Sequence, residues 1–167
     1  MGLIKSNILL QYSINGVNLM GFCISVYALA IELYKDAYPN YKPFCDFSES
    51  VSCSKALMSE YGRGFGLLGR LLGDDHALNL RNPVFGIAFY IITSILAFFN
   101  SVPPAKALMW LAVVSNVGTV YLAFIMYSYI QSVCVVCCSL YVVNFVLLIL
   151  AYQRLGIIKQ LVMKKRD

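Results

Sequence analysis

Two thiols three positions apart, Cys134 and Cys137, open an uncharged apolar run that continues to Tyr152. Residues at i and i+3 share one face of a helix, so their sulfurs lie within reach of a disulfide. At a helix N-terminus the aligned peptide dipoles favour a thiolate and make it a better nucleophile. A dithiol at the edge of an apolar helix is suited to giving two electrons to something dissolved in lipid. A second pair, Cys45 and Cys53, lies in the polar part of the chain. In an oxidising compartment such a pair is either a structural staple or a partner in thiol–disulfide exchange with the first. Spacing alone leaves both readings open.

The elements that position these sulfurs follow from composition. The chain has 167 residues, of which 60% are hydrophobic and 13% charged. Soluble domains carry about a quarter charged residues, so this is a membrane protein. Uncharged stretches at 6–31, 82–99, 107–129 and 133–152 approach or exceed the roughly 20 residues that cross about 30 Å of hydrocarbon. Spans are therefore expected at about 8–32, 82–99, 105–130 and 133–153 of a single domain over 1–167, with one long loop at about 33–81. The expected fold is all-α: four transmembrane helices with a cap or half-helix between the first two. The first span is too long for the apolar core of a signal peptide and has no clear cleavage site.

Charge placement orients the bundle. Lys5, Lys106, Arg154, Lys159, Lys164, Lys165 and Arg166 gather on one side against Asp167 alone. In the long loop Lys35, Lys42, Lys55, Arg63, Arg70 and Arg81 are offset by Glu32, Asp36, Asp46, Glu49, Glu60, Asp74 and Asp75. The positive-inside rule makes both termini cytosolic and the loop lumenal or extracellular. The net charge of +5 thus reflects topology and not nucleic-acid binding.

Within the first span Gln11, Asn15 and Asn18 form a polar stripe suited to contact between helices, and Cys23 reads as a small buried hydrophobe. Pro39 and Pro43 end that helix. A short helix is expected over 51–61. The Gly- and Leu-rich run 62–73 reads as a half-helix on the membrane surface. His76, the only histidine, sits in a polar loop and reads as solvated. Asn82-Pro83 is a helix start with Asn82 as N-cap, and Asn82 is also placed to donate a hydrogen bond at the rim of the bundle. Phe85 and Phe89 share a face, as packing residues or as a ligand wall. On the last helix Cys134, Cys137, Cys138, Tyr141 and Asn144 fall on one stripe, which leaves Cys138 open as a reactive thiol.

Cys45…Cys53, the run Tyr61–Leu68 (YGRGFGLL), Asn82-x-x-Phe85-Gly86 and Cys134-x-x-Cys137-x-x-x-Tyr141 together resemble the vitamin K epoxide reductase family, in order and spacing across about 27–152. The resemblance implies a four-helix bundle in the endoplasmic reticulum membrane with a lumenal cap over a quinone pocket. It implies that Cys134 and Cys137 are the catalytic dithiol, with Cys137 nearest the substrate. Cys45 and Cys53 would relay electrons from a thioredoxin-like lumenal partner acting in trans, through a transient Cys53–Cys134 disulfide. Asn82 and Tyr141 match hydrogen-bond donors to the ring oxygens, and Phe85, Phe89 and Leu122 match pocket-lining positions. The resemblance also implies vitamin K quinone or epoxide as substrate, no tightly bound cofactor, no metal, and sensitivity to coumarin-type inhibitors. The closing Lys164-Lys165-Arg166-Asp167 looks like a retrieval signal for the endoplasmic reticulum. Tyr61 departs from the tryptophan usual in the family before GRGFG, so the anchoring of the cap is expected to differ. Two rival readings are a structural, claudin-like four-span protein, which suits Cys45–Cys53 but not an intramembrane CxxC, and a zinc site of four cysteines, which lacks a second tight pair.

Overall fold

The computed structural model describes residues 2–73 and 76–164; Asp74, Asp75 and the Lys165–Asp167 part of the basic tail lie outside the described residues. The described residues are helical: α1 (Gly2–Ala37), α2 (Cys53–Leu57), α3 (Leu68–Leu72), α4 (Asn82–Phe98), α5 (Val102–Ile125) and α6 (Val135–Lys164). A π turn over Met126–Ile130 extends α5, and 3-10 turns occupy Glu60–Gly62 and Gly64–Gly66. The single helix expected over 51–61 is thus α2 followed by a 3-10 turn. The half-helix expected over 62–73 is a 3-10 turn followed by α3.

Among the described residues three helices are long and apolar enough to cross a membrane: α1, α5 with its π turn, and α6. The helix α4 is apolar but only 17 residues long. Both α1 and α6 outrun the apolar stretches that predicted them. Backbone hydrogen bonding continues through the charged residues Glu32–Asp36 at one end and past Arg154 at the other, because helix formation adds one bond for each residue fixed.

α1 lies against α4 and α6, and α5 packs along α6 with a thinner contact to α4. Two apolar cores result. One, at the loop end, joins Ala28 and Ile31 to Cys45, Cys53, Ala56, Leu57, Cys134 and Val136. The other joins Ile14, Ala97, Leu108, Ala112, Leu147 and Ala151 nearer the termini. Lipid tails are as apolar as leucine, so polar pairs help to hold such helices together. Thr93 donates to Asn18 Oδ1 at 3.1 Å, and Ser94 donates to Asn15, which bears out the polar stripe as a contact surface for helices. Cys23, by contrast, is exposed: it sits on the outer face of α1 with a free thiol and is not the buried hydrophobe expected.

Arg154 is fully buried where α4 turns into α5. It donates to the Phe99 carbonyl and to Asn100 Oδ1, both at 3.3 Å, and Asn7 donates to the same Asn100 oxygen at 2.8 Å. A cation at a helix C-terminus satisfies carbonyls that the helix leaves unpaired. Arg154→Ala is expected to destabilise the protein by about 1–3 kcal/mol by stranding the Phe99 carbonyl, since Asn100 Oδ1 keeps its bond from Asn7. The thermal unfolding midpoint in detergent should fall, and the exposed Lys106→Ala should leave it unchanged.

Candidate functional site

Cys134 stands immediately before α6 and closes a disulfide with Cys137, with 5.2 Å between their Cα atoms. The Cys137 backbone N–H points at Cys134 Sγ at 3.1 Å, the bond an N-cap side chain normally accepts. The Cys134 N–H is taken by Met126 Sδ at 3.4 Å, and its carbonyl accepts from Cys138 N at 3.0 Å. Gln131, with a left-handed φ of 51°, makes the tight turn that delivers the chain from the π turn to this position.

Cys45 and Cys53 form the second disulfide, with Cα atoms 5.7 Å apart. Its location relative to the first is set by backbone pairing. Val51 and Val133 form a parallel bridge, in which Val133 N donates to Ser50 O at 2.8 Å and Ser52 N donates to Val133 O at 3.0 Å. Cys53 lies two residues beyond one side of the bridge and Cys134 one residue beyond the other. Both are fully buried in the same apolar core. Asp46 fixes the start of α2: one carboxylate oxygen accepts from the Ser52 hydroxyl at 2.9 Å and from Ser54 N at 3.0 Å. Burial pushes the Asp46 carboxyl up, but hydrogen bonds from Ser54, Ser52 and the Cys53 backbone outweigh this and hold it below the usual carboxylate range.

Between the two cores lies a cavity of about 690 Å³. Asn82, Phe85, Phe89, Leu122 and Tyr141, read from the sequence as substrate-binding, all line it together with Cys137. Cys134 does not; it faces the core that holds the other disulfide. Cys138 does not line the cavity either. The helix turns this free, partly buried thiol off the face that Cys137, Tyr141 and Asn144 present, which corrects the single stripe expected. Among the described residues no hydrogen bond involves the Tyr141 hydroxyl. Deeper down, Tyr90 donates to Asn144 Oδ1 at 2.8 Å and Asn144 donates to Thr119 Oγ1 at 3.1 Å, so the floor is polar but paired. Toward Leu111, Val114 and Val117, all on α5, the wall becomes apolar.

The segment 60–67 covers the loop end of the cavity. Gly64, Phe65 and Gly66 have φ values of 51°, 58° and 69° in succession. Glycine tolerates this region and phenylalanine does not, so Phe65 must be held there by its neighbours. Phe65 N donates to Asn82 Oδ1 at 2.9 Å, Tyr121 donates to Phe65 O at 3.2 Å, and the Phe65 and Phe85 rings stand 5.3 Å apart. Asn82 Nδ2 also donates to Tyr61 O at 2.7 Å. Asn82 is therefore not the N-cap expected. Arg81 occupies that position, and the Asn82 amide is turned onto the covering segment. Tyr61 packs against Tyr129 at 5.8 Å and lies under the Arg70 guanidinium, which anchors the cover at this position. Arg81 pairs with buried Glu32 at 3.1 Å and with Asp36, and Arg63 approaches Asp36 at 3.9 Å, tying the segment to the end of α1. His76 is exposed, as expected.

Sequence reasoning passed over Asp46, Tyr121 and the Glu32–Arg81 pair. Only Asp46 left a local signal, a helix-capping type beside Cys45 with serines on both sides of Cys53.

Residues 13–152 match the vitamin K epoxide reductase family. Over 136 residues the chain is 35% identical to vitamin K epoxide reductase complex subunit 1 of Mus musculus and, equally, to that of Rattus norvegicus. Each alignment covers 81% of this chain and 84% of the relative.

Asn82→Ala removes the partners of Phe65 N–H and Tyr61 C=O, at about 1–3 kcal/mol for each stranded group. Amide exchange across 61–66 is expected to speed up by about tenfold or more, with the α5–α6 pairing unaffected.

Proposed function

The chain belongs to the vitamin K epoxide reductase family, and on that premise we propose that it is a four-span membrane enzyme reducing vitamin K epoxide, vitamin K quinone or both. The observation that carries the reading is the division of labour at the CxxC: Cys137 faces the cavity, and Cys134 faces the core shared with Cys53.

Each turnover takes two electrons and two protons from the Cys134/Cys137 dithiol, which closes to a disulfide. A quinone leaves as the hydroquinone, and an epoxide leaves as the quinone with one water. Negative charge developing on a ring oxygen needs preorganised donors in a water-poor site. The free Tyr141 hydroxyl is one. The remaining amide hydrogen of Asn82, whose orientation its bonds to Tyr61 and Phe65 fix, is the other. Phe85, Phe89 and Leu122 pack the ring, and the apolar wall of Leu111, Val114 and Val117 accommodates an isoprenoid tail. Planar coumarin-type inhibitors would compete for the same donors and walls.

The dithiol is recharged from Cys45 and Cys53. A thioredoxin-like partner in the lumen reduces that pair, and Cys53 attacks Cys134 through a transient mixed disulfide. The bridge at Val51 and Val133 supports this route, because Cys53 and Cys134 follow it within two residues and lie in one core. The acidic and basic balance of the loop and the basic terminal side support cytosolic termini and a lumenal site, and the family resemblance with the di-lysine end supports residence in the endoplasmic reticulum.

The test is turnover of quinone and of epoxide in microsomes. Cys137→Ala is expected to abolish turnover with every reductant. Cys45→Ala should lose turnover with a protein dithiol and keep much of it with a small membrane-permeant dithiol. Inactivity of Cys45→Ala with both would overturn the relay. A wild-type chain inert on both substrates would redirect the chemistry to other prenylquinones.

A further inference from the structure

Cys45, Asp46 and Cys53 meet at one corner of the loop, with both sulfurs and a carboxylate oxygen within 4.8 Å of one another. Among the described residues this is the one place where three such groups converge. The resting disulfide occupies both sulfurs. Its reduction separates them and yields two thiols that the backbone keeps close, with Cα atoms 5.7 Å apart.

Tetrahedral zinc binds thiolate sulfur at about 2.3 Å and carboxylate oxygen at about 2.0–2.2 Å, which places ligand atoms about 3.6–3.8 Å from each other. The corner needs side-chain shifts of about 1 Å to reach that geometry. Its carboxylate already has what metal-bound carboxylates usually have, an orienting set of hydrogen bonds: the Ser52 hydroxyl and the Ser54 N–H hold one Asp46 oxygen in place. The sulfurs are shielded, at 7% and 0% exposure, whereas Asp46 is partly exposed, so a cation and its fourth ligand, a water, enter from the carboxylate side.

We propose that the reduced Cys45–Asp46–Cys53 corner is a binding site for a divalent zinc-class cation, open when the pair is a dithiol and closed when it is a disulfide. Binding releases the two thiol protons and forms two metal–thiolate bonds, with no change in oxidation state. The metal then occupies both relay sulfurs and stops them passing electrons inward. That consequence rests on the relay reading above; the binding itself does not.

The experiment uses full-length protein in detergent carrying Cys134→Ser and Cys137→Ser, so that the other dithiol cannot contribute. A phosphine reductant opens Cys45–Cys53 without adding a competing thiol. Zinc is titrated against a chromophoric chelator, and cobalt(II) is used separately to read thiolate-to-metal charge transfer. One equivalent should bind to reduced protein and none to oxidised protein, with a cobalt band of two-thiolate intensity. Cys45→Ser should abolish binding. Asp46→Asn should weaken it at least about tenfold, and Ser52→Ala, which removes a hydrogen bond to Asp46 together with the α2 cap on Lys55 N, by about 10–100-fold. Reformation of the disulfide on oxidation checks that the Asp46→Asn protein is folded, and the cobalt band of the parent decides the two-thiolate assignment without that variant. Equal binding by Cys45→Ser, or by the oxidised protein, overturns the site. Unchanged affinity in folded Asp46→Asn overturns the role of the carboxylate. No arm measures turnover, so failure here is distinct from failure of the relay.

Discussion

Val133 gives its N–H to Ser50 and takes one from Ser52, and these two hydrogen bonds set how close a polar loop comes to the first turn of an apolar helix. Side chains alone would do this poorly. Cysteine sulfur is a weak hydrogen-bonding group, and apolar packing has no direction. A backbone bridge fixes register to a single residue, so the cysteines that follow it on each strand arrive in the same core. The rest of the loop end is arranged around that constraint. Asp46 holds the α2 start in line with the bridge, and Gln131 turns the chain so that Val133 faces it.

The covering segment obeys a different rule. It carries three consecutive left-handed residues, one of them a phenylalanine, and its backbone groups must find partners where water is scarce. Asn82 and Tyr121 supply those partners from α4 and α5, and ion pairs from α1 secure the flank. The polar residues that interrupt the apolar helices are therefore not scattered. Those nearest the cavity hold its cover and floor, and those further away join helices to each other.

Much of this was legible in the sequence because apolar periodicity and cysteine spacing are local signals. The helices and the two thiol pairs could be read from stretches of a few residues, whereas the cavity-lining roles of Asn82, Phe85, Phe89, Leu122 and Tyr141 come from the resemblance to the family. What was not legible depends on contacts between distant segments. Asn82 has the composition of an N-cap, and nothing within four residues of it reveals that Phe65, seventeen positions earlier, takes its oxygen instead. Cys138 shares a helical stripe with Cys137 by counting, but only Cys137 meets the cavity once α6 is packed in the bundle. Cys23 looked buried because it is a cysteine in an apolar helix. In a bundle with a lipid exterior, an outward-facing cysteine is equally comfortable.

The brevity of α4 has a consequence for where such a bundle is at ease. Seventeen helical residues span about 26 Å. The hydrocarbon layer of the endoplasmic reticulum is about 27 Å thick and that of the plasma membrane about 32–33 Å. On the four-span reading, the shortest helix matches the thinner bilayer without deforming it. In the thicker one it would require the lipid to pinch by about 6 Å beside the α4–α5 seam. Hydrophobic mismatch would then act as an address in its own right, written in a helix length and independent of any terminal signal. It would also make the α4 wall of the cavity, where Phe85 and Phe89 sit, sensitive to the thickness of the surrounding lipid.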